Sequence, residues 1–206
     1  TESTLSEKDG AAVWLGTYPA GAPQGIDPLQ ALRISASHLK SPVIDGLPPL
    51  TGGLVGYMGY DTVRRLEKIG NTSVKDLPLP ELAFMLTSDL AVMDHSDGTV
   101  TLIANAINWD ASDNRIDEAY AECVARLDRM QQELNAPLDG FVSELEVRTL
   151  PDFDSNTTEE KYRQSVNEIK EEILAGEAFQ VVLSQRFSVD VKAEPIDIYR
   201  MLRLHN

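Results

Sequence analysis

The most regular alternation of apolar and polar residues in the chain lies at 176–187, after a helix that ends at Gly176. Alternate residues fall on two faces of an extended strand. Gln180, Ser184 and Arg186 share one face, and the other face is apolar, with Phe179, Val181, Leu183, Phe187, Val189 and Val191. The pattern predicts a long strand whose apolar face covers a core. Its polar face lies against solvent or a cavity, and the alternation leaves both open.

Apolar residues at spacings of three and four predict helices over 27–39, 62–69, 113–134, 157–176 and from 195 onward. Asp27 before Pro28 is a capping residue before an N1 proline. Thr157 and Glu160 have capping-box spacing. The helix over 113–134 has the longest apolar stripe. Cys123 lies on that stripe with no basic neighbour expected on the same face, so we expect a buried, inert thiol.

Shorter apolar runs predict strands over 12–16, 82–93 and 100–107, the last two joined through a turn at 96–98. Residues 1–10 are polar and predicted to be loose. The strand over 50–61 contains Gly53, Gly56 and Gly59, a spacing that does not match a phosphate-binding loop. Glycines inside a strand indicate a bulge or the close approach of another backbone or of a ligand.

The order of these elements mixes helices and strands without strict βαβ alternation, which favours an α+β fold with largely antiparallel sheets. Residues 137–156 have no sustained period and form the best linker candidate, between regions at 1–136 and 157–206. The chain begins at Thr1, and the last helix is still amphipathic at Asn206. We therefore expect it to be part of a longer protein.

Composition narrows the possible partners. Eighteen Lys and Arg against 33 Asp and Glu give a net charge of -15, which argues against nucleic acid and anionic membranes. One cysteine excludes an internal disulfide and suits a reducing cytoplasm. His38 and His95 are predicted at a helix end and beside a turn, and no metal-ligand spacing is visible. The residues alone indicate an acidic cytoplasmic domain.

Three longer motifs of the chain resemble those of a known enzyme family. The segments GGLVGYMGYD at 52–61, IANA at 103–106 and AGEAFQVVLSQRF at 175–187 resemble component I, the large subunit, of the anthranilate synthases, which are chorismate-utilising enzymes. They occur in that family's order from about Val13 onward. The resemblance implies antiparallel sheets packed face to face with helices outside. It makes 1–136 the amino-terminal region of component I and 157–206 the truncated start of the chorismate-binding region.

This resemblance implies conversion of chorismate and ammonia to anthranilate and pyruvate with Mg²⁺. A glutamine amidotransferase subunit supplies the ammonia, and L-tryptophan is a feedback effector. The Mg²⁺ ligands and most substrate contacts of the family lie beyond this chain, so we expect the 206 residues alone to be inactive. No chorismate or tryptophan contact transfers to a particular residue here.

One catalytic position of the family can be assigned to a residue of this chain, and that residue is Gln180. Family members that add water to chorismate have a lysine there, which activates the water. An amide is no base near neutral pH, whereas ammonia is already a nucleophile, so Gln180 favours ammonia chemistry. Aminodeoxychorismate synthase component I also uses ammonia and stays an alternative. A non-catalytic interaction or regulatory module is the other.

Overall fold

The computed structural model describes residues 3–70, 73–75, 77–109, 112–137 and 152–205. It divides into two compact units, Thr1–Asp139 and Gly140–Asn206, each considered by itself. The predicted linker lies mostly at 138–151, outside the described residues. Helices are mixed with antiparallel sheets, which confirms the α+β fold class.

The first unit is built on a four-stranded antiparallel sheet in the order β2-β1-β4-β3. Its strands are β1 (Ser3–Lys8), β2 (Ala11–Gly16), β3 (Gly53–Met58) and β4 (Leu82–Thr87). The prediction that residues 1–10 are loose is wrong, because β1 lies inside the sheet and pairs with both β2 and β4. Leu5 is fully buried there, so pairing and burial outweigh the polar composition of the segment.

Helix α1 (Pro28–His38) follows the predicted signals closely. Asp27 Oδ1 accepts a hydrogen bond from Gln30 N at 2.9 Å, and Pro28 occupies the first turn. The fully buried face of α1 is Pro28, Ala31 and Ser35 rather than the leucine stripe. The core beneath it consists of Leu5, Ala12, Trp14, Ala22, Ala31, Leu82 and Leu86, with Leu32 and Leu39 packed at its edge.

The predicted strand over 82–93 is two strands in different sheets. After β4 the chain passes Ser88 and continues as β5 (Asp89–Met93), which pairs with β6 (Val100–Ala104) in the predicted hairpin. Helix α2 (Ile116–Asn135) packs on β6. Cys123 is buried on that face, as expected.

The helix predicted over 62–69 is a 3-10 helix over Tyr60–Arg65, and Gly59 precedes it. Leu66 and Ile69 lie within the predicted range but beyond the observed helix, and both are exposed. The segment is held by polar contacts of its arginines instead of by an apolar stripe.

The second unit contains β7 (Asp154–Ser155), α3 (Glu159–Ala175), β8 (Phe187–Ser188) and α4 (Pro195–His205). Helix α3 is capped one residue later than predicted, by Thr158 Oγ1 accepting from Lys161 N at 3.2 Å. Gly176 ends it in the left-handed conformation, where Glu177 N donates to Glu172 O and Gly176 N donates to Ile173 O.

The long strand predicted over 177–187 is not formed. Only β8 pairs, with the two residues of β7, and 177–186 have no regular secondary structure. A strand needs a partner strand for its backbone hydrogen bonds. Arg186 O accepts from Asn156 N at 3.1 Å, but within the described residues no partner strand pairs with 177–185. The expected apolar face is open as well, since Phe179 is 95% exposed.

Among the described residues, no helix is long and apolar enough to cross a membrane.

Candidate functional site

The glycine-rich motif at 52–61 forms β3, where one glycine is required by backbone contact. A Cβ on Gly56 would lie 2.6 Å from Phe84 Cα and collide with the carbonyl oxygen of Ala83 on β4. Distances below 3.0 Å are not adopted by real Cβ atoms. Of the alternatives left open by the sequence, the close approach of another backbone is the one observed at Gly56.

Asn105 joins the second motif to the first. Its side-chain Nδ2 donates to Thr51 O at 2.6 Å and to Ser88 O at 2.9 Å, and its backbone N donates to Ser88 O at 2.9 Å. Gly52 lies against this amide with φ of 153°, and a Cβ there would be 2.7 Å from Asn105 Nδ2. The two motifs therefore form one packed corner of the first unit.

Arg126 on α2 closes this corner from the helix side. One guanidinium nitrogen donates to Asn105 O at 2.8 Å and to Cys123 Sγ at 3.1 Å, and the other lies 3.1 Å from Asp89. Cys123 thus has a basic neighbour, contrary to the expectation from sequence. Helical spacing of three could have identified it, because residues i and i+3 share a face.

A second polar cluster surrounds Arg65 at the end of the 3-10 helix. Its guanidinium binds both carboxylate oxygens of Glu81, at 2.6 and 2.7 Å, and Asp27 Oδ2 at 2.6 Å. Glu7 extends the cluster, accepting from Gly10 N at 2.7 Å and from Glu81 N at 3.1 Å. The cluster ties β1, α1, the 3-10 helix and the start of β4 together.

Charge and hydrogen bonding shift the pKa values in this cluster. The carboxylate of Glu81 raises the pKa of Arg65, with a further contribution from Asp27. Backbone N–H groups of Gly10 and Glu81 lower the pKa of Glu7 below its ordinary value. Burial raises the pKa of Asp27, but the Gln30 N–H and the Arg65 guanidinium outweigh it, so that pKa is lowered. All three shifts favour the charged forms that hold the fold.

An apolar groove opens beside the motif corner, between α1 and β3. Gly53 borders open space, since no atom of the described residues lies within 4 Å of where its Cβ would be. None of the described residues that line the groove is an acid or a base, so these side chains supply no proton transfer. Its lining is Leu32, Ala36, Leu39, Gly52, Gly53, Leu54, Met58 and Phe84.

Gln180, the candidate from sequence, lies in the second unit, on the irregular segment 177–186, and is exposed. The far end of that segment is fixed by Gln185, whose Nε2 donates to Ser155 Oγ at 2.7 Å and to Thr157 O at 3.1 Å. Arg186 N also donates to Asn156 Oδ1 at 3.0 Å. Gln180 therefore lies on an irregular segment whose two ends are held by hydrogen bonds. One end is the helix cap at Gly176, and the other is Gln185.

Within the described part of the chain, no group of three or more His, Cys, Asp or Glu side chains is arranged to hold a metal ion. The described residues therefore offer no site that fits the Mg²⁺ implied by the resemblance, and we derive no step through a metal from them.

Comparison with known proteins identifies the family. The family model described as chorismate binding enzyme matches residues 16–206. The chain belongs to the chorismate binding enzymes. Anthranilate synthase component 1 of Mycolicibacterium smegmatis is 50% identical over 204 residues, and that of Mycobacterium tuberculosis H37Rv is 46% identical over 207. These alignments cover 99% of this chain but only 39% and 40% of the relatives, so the chain spans about two fifths of their length.

A solved structure of this family agrees with the fold. The crystal structure of anthranilate synthase component I from Streptococcus pneumoniae matches with a TM-score of 0.75 at 25% identity, over 99% of this chain and 43% of that one. The resemblance inferred from the motifs is thus confirmed, since component 1 relatives match nearly the whole sequence.

Proposed function

We propose that this chain is the amino-terminal portion of an anthranilate synthase component I, in a protein that converts chorismate and ammonia to anthranilate and pyruvate. The observation that carries the proposal is the 50% identity over 204 residues to a protein named anthranilate synthase component 1. The match covers 99% of this chain, so it includes residues of both units.

Gln180 supports ammonia as the nucleophile. Ammonia has a free lone pair and attacks without a base, whereas water must lose a proton to a base as it attacks. The amide of Gln180 has no titration near neutral pH and offers only a donor and an acceptor. We propose that it faces the substrate in the longer protein and leaves water unactivated.

The proposal includes a glutamine amidotransferase as the second component, Mg²⁺ as a cofactor held by residues outside this chain, and feedback inhibition by L-tryptophan. The name component 1, carried by the relatives, is consistent with a second component. Bound Mg²⁺ would act as a Lewis acid toward chorismate. We propose that the 206 residues alone do not turn over chorismate.

The test uses the longer protein, of the length of its curated relatives, with chorismate, Mg²⁺ and ammonium at a pH where free ammonia is present. We expect fluorescent anthranilate and stoichiometric pyruvate, with inhibition on addition of L-tryptophan. Aminodeoxychorismate as the product would favour the alternative synthase. No turnover by a folded longer protein would favour the non-catalytic module.

The 206-residue chain is assayed in parallel under the same conditions. Anthranilate formation by this chain alone, removed by the Gln180→Lys change, would contradict the proposed need for residues outside it.

A further inference from the structure

The segment that carries Gln180 joins the two ends of helix α3. Gly176 caps the carboxyl end of the helix. At the amino end, Gln185 Nε2 donates to Ser155 Oγ at 2.7 Å and to Thr157 O at 3.1 Å, two groups that come just before the first helical residue. The segment therefore returns along the whole length of α3.

This return path leaves the backbone little slack. Helix α3 has 17 residues and is about 25 Å long at a rise of 1.5 Å per residue. Nine residue steps lead from Gly176 to Gln185, and a fully extended chain covers about 30 Å in nine steps. The backbone bends at Glu177 and Phe179 and then runs from 180 to 186 without a helix, turn or bend. The segment is therefore close to extended, although among the described residues no partner strand pairs with it.

Hydrogen bonds around Gln185 hold the far end of this segment, and we call the residues Ser155, Asn156, Thr157 and Gln185 the clasp. Ser155 Oγ, which accepts from Gln185, itself donates to Thr157 O at 2.6 Å. Arg186 N donates to Asn156 Oδ1 at 3.0 Å, and Asn156 N donates to Arg186 O at 3.1 Å. Gln185 is half-buried among these groups. Side-chain hydrogen bonds thus hold the backbone here, beside the two-residue pairing of β7 with β8.

We propose that Gln185 is a positioning residue for the reaction with ammonia: the clasp keeps the segment extended along α3 and so sets where the Gln180 amide meets the substrate. The proposal rests on the proposed function, in which Gln180 faces chorismate. With Gln185 released, the segment gains conformational freedom, because its backbone is no longer drawn out along the helix. Gln180 then occupies its productive place for a smaller fraction of the time. A displacement of about 1 Å at a reacting centre can cost a rate about a hundredfold.

The experiment measures kcat/KM for ammonia in the longer protein, with chorismate and Mg²⁺. We expect Gln185→Ala to lower this quantity at least fivefold. Gln164→Ala is the matched control, because Gln164 is exposed on α3 and its Nε2 likewise donates to a side chain of the same unit, Glu168 Oε1 at 2.8 Å. The control should stay within twofold of wild type.

A Gln180→Ala background distinguishes positioning from a merely structural role. Gln180→Ala should keep a measurable rate, because ammonia needs no base to attack. If Gln185 acts through Gln180, adding Gln185→Ala to that variant should change kcat/KM by less than twofold. A further loss of twofold or more in this background would overturn the proposal. An unchanged kcat/KM for Gln185→Ala alone would overturn it as well.

Should Gln185→Ala fail to fold, Ser155→Ala tests the same contact more mildly, because Thr157 O remains as an acceptor. A loss of at least twofold in kcat/KM that disappears in the Gln180→Ala background is the expected result, and equal losses in both backgrounds, or none, overturn the proposal. Hydrogen exchange separates the clasp from the proposed function, since the amides of 177–186 should exchange faster in the clasp variant than in wild type. A wild type that shows this difference but makes no anthranilate refutes the function and leaves the clasp intact. Unchanged exchange would refute the clasp whatever the activity.

Discussion

Gly52 packs so closely against the side-chain amide of Asn105 that any side chain at position 52 would displace that amide. The missing Cβ of Gly52 would be 2.7 Å from Asn105 Nδ2, whose hydrogen bonds reach Thr51 O and Ser88 O. Two sequence motifs of the family are thereby joined by a direct contact. In the described residues, this contact makes both motifs part of the frame of the first unit.

Replacing Gly52 by Ala should destabilise the protein by about 2 kcal/mol or more, because φ of 153° strains an L residue and the Cβ collides with the amide. Urea unfolding followed by tryptophan fluorescence measures the loss. Gly70→Ala is the control, since among the described residues no atom lies within 4 Å of its Cβ position and its φ is not in the strained range. Equal midpoints for the two variants would contradict the close contact.

Asn105→Ala should cost about 1–2 kcal/mol, since the carbonyl oxygens of Thr51 and Ser88 each lose a donor in a partly buried place. The same unfolding assay applies, with the exposed Asn135→Ala at the end of α2 as the comparison. A double variant Gly52→Ala, Asn105→Ala should lose less than the sum of the single effects, because the collision is then relieved.

The Arg65 cluster predicts sensitivity to acid. Glu7 and Asp27 have pKa values below their ordinary 4.5 and 3.8, so each contributes stability that is present above its ordinary value and lost as pH falls through its lowered folded value. The unfolding midpoint should therefore fall progressively below about pH 4.5. Asp27→Asn keeps a capping side chain but should flatten this dependence. The exposed Asp128→Asn should follow wild type, and a slope unchanged by Asp27→Asn would refute the role of that carboxylate.

Ser35 offers a stabilising change. Its side chain is fully buried in α1, and its hydroxyl has no hydrogen-bond partner among the described residues. Ser35→Ala removes that unsatisfied group and improves helix propensity, so we expect a gain of about 1 kcal/mol. Ser37→Ala, on the exposed side of the same helix, should stay within about 0.5 kcal/mol of wild type. A lower midpoint for Ser35→Ala would show that the hydroxyl has a stabilising partner.

Signals between neighbouring residues correctly predicted the ends of several helices and one hairpin. The caps at Asp27 and Gly176 and the proline that begins α4 specified helix ends within a residue or two, because capping depends on neighbours in sequence. The hairpin between β5 and β6 was found for the same reason.

Contacts between distant residues were not predictable in this way. Asn105 reaches Thr51 across 54 positions, and Arg65 reaches Asp27 across 38, with no periodicity that links them. The alternation over 177–187 predicted a long strand with two faces, but only Phe187 of that range is in a strand, because a strand forms only where a partner strand exists. Gln180 was identified through the family resemblance of the motif around it, and neither the residue pattern nor a pocket indicated it.

Gln180→Lys is the decisive change for the candidate site, made in the longer protein. A lysine amine near the substrate ring can activate water, so we expect anthranilate formation from ammonia to fall at least tenfold in kcat/KM, a loss of about 1.4 kcal/mol of transition-state stabilisation. A product of water addition to chorismate should appear on chromatography. Gln164→Lys, on exposed α3 of the same unit, adds the same charge without these effects. Unaltered anthranilate kinetics in Gln180→Lys would place the segment 177–186 away from the substrate, because a cation in contact with chorismate would change kcat or KM.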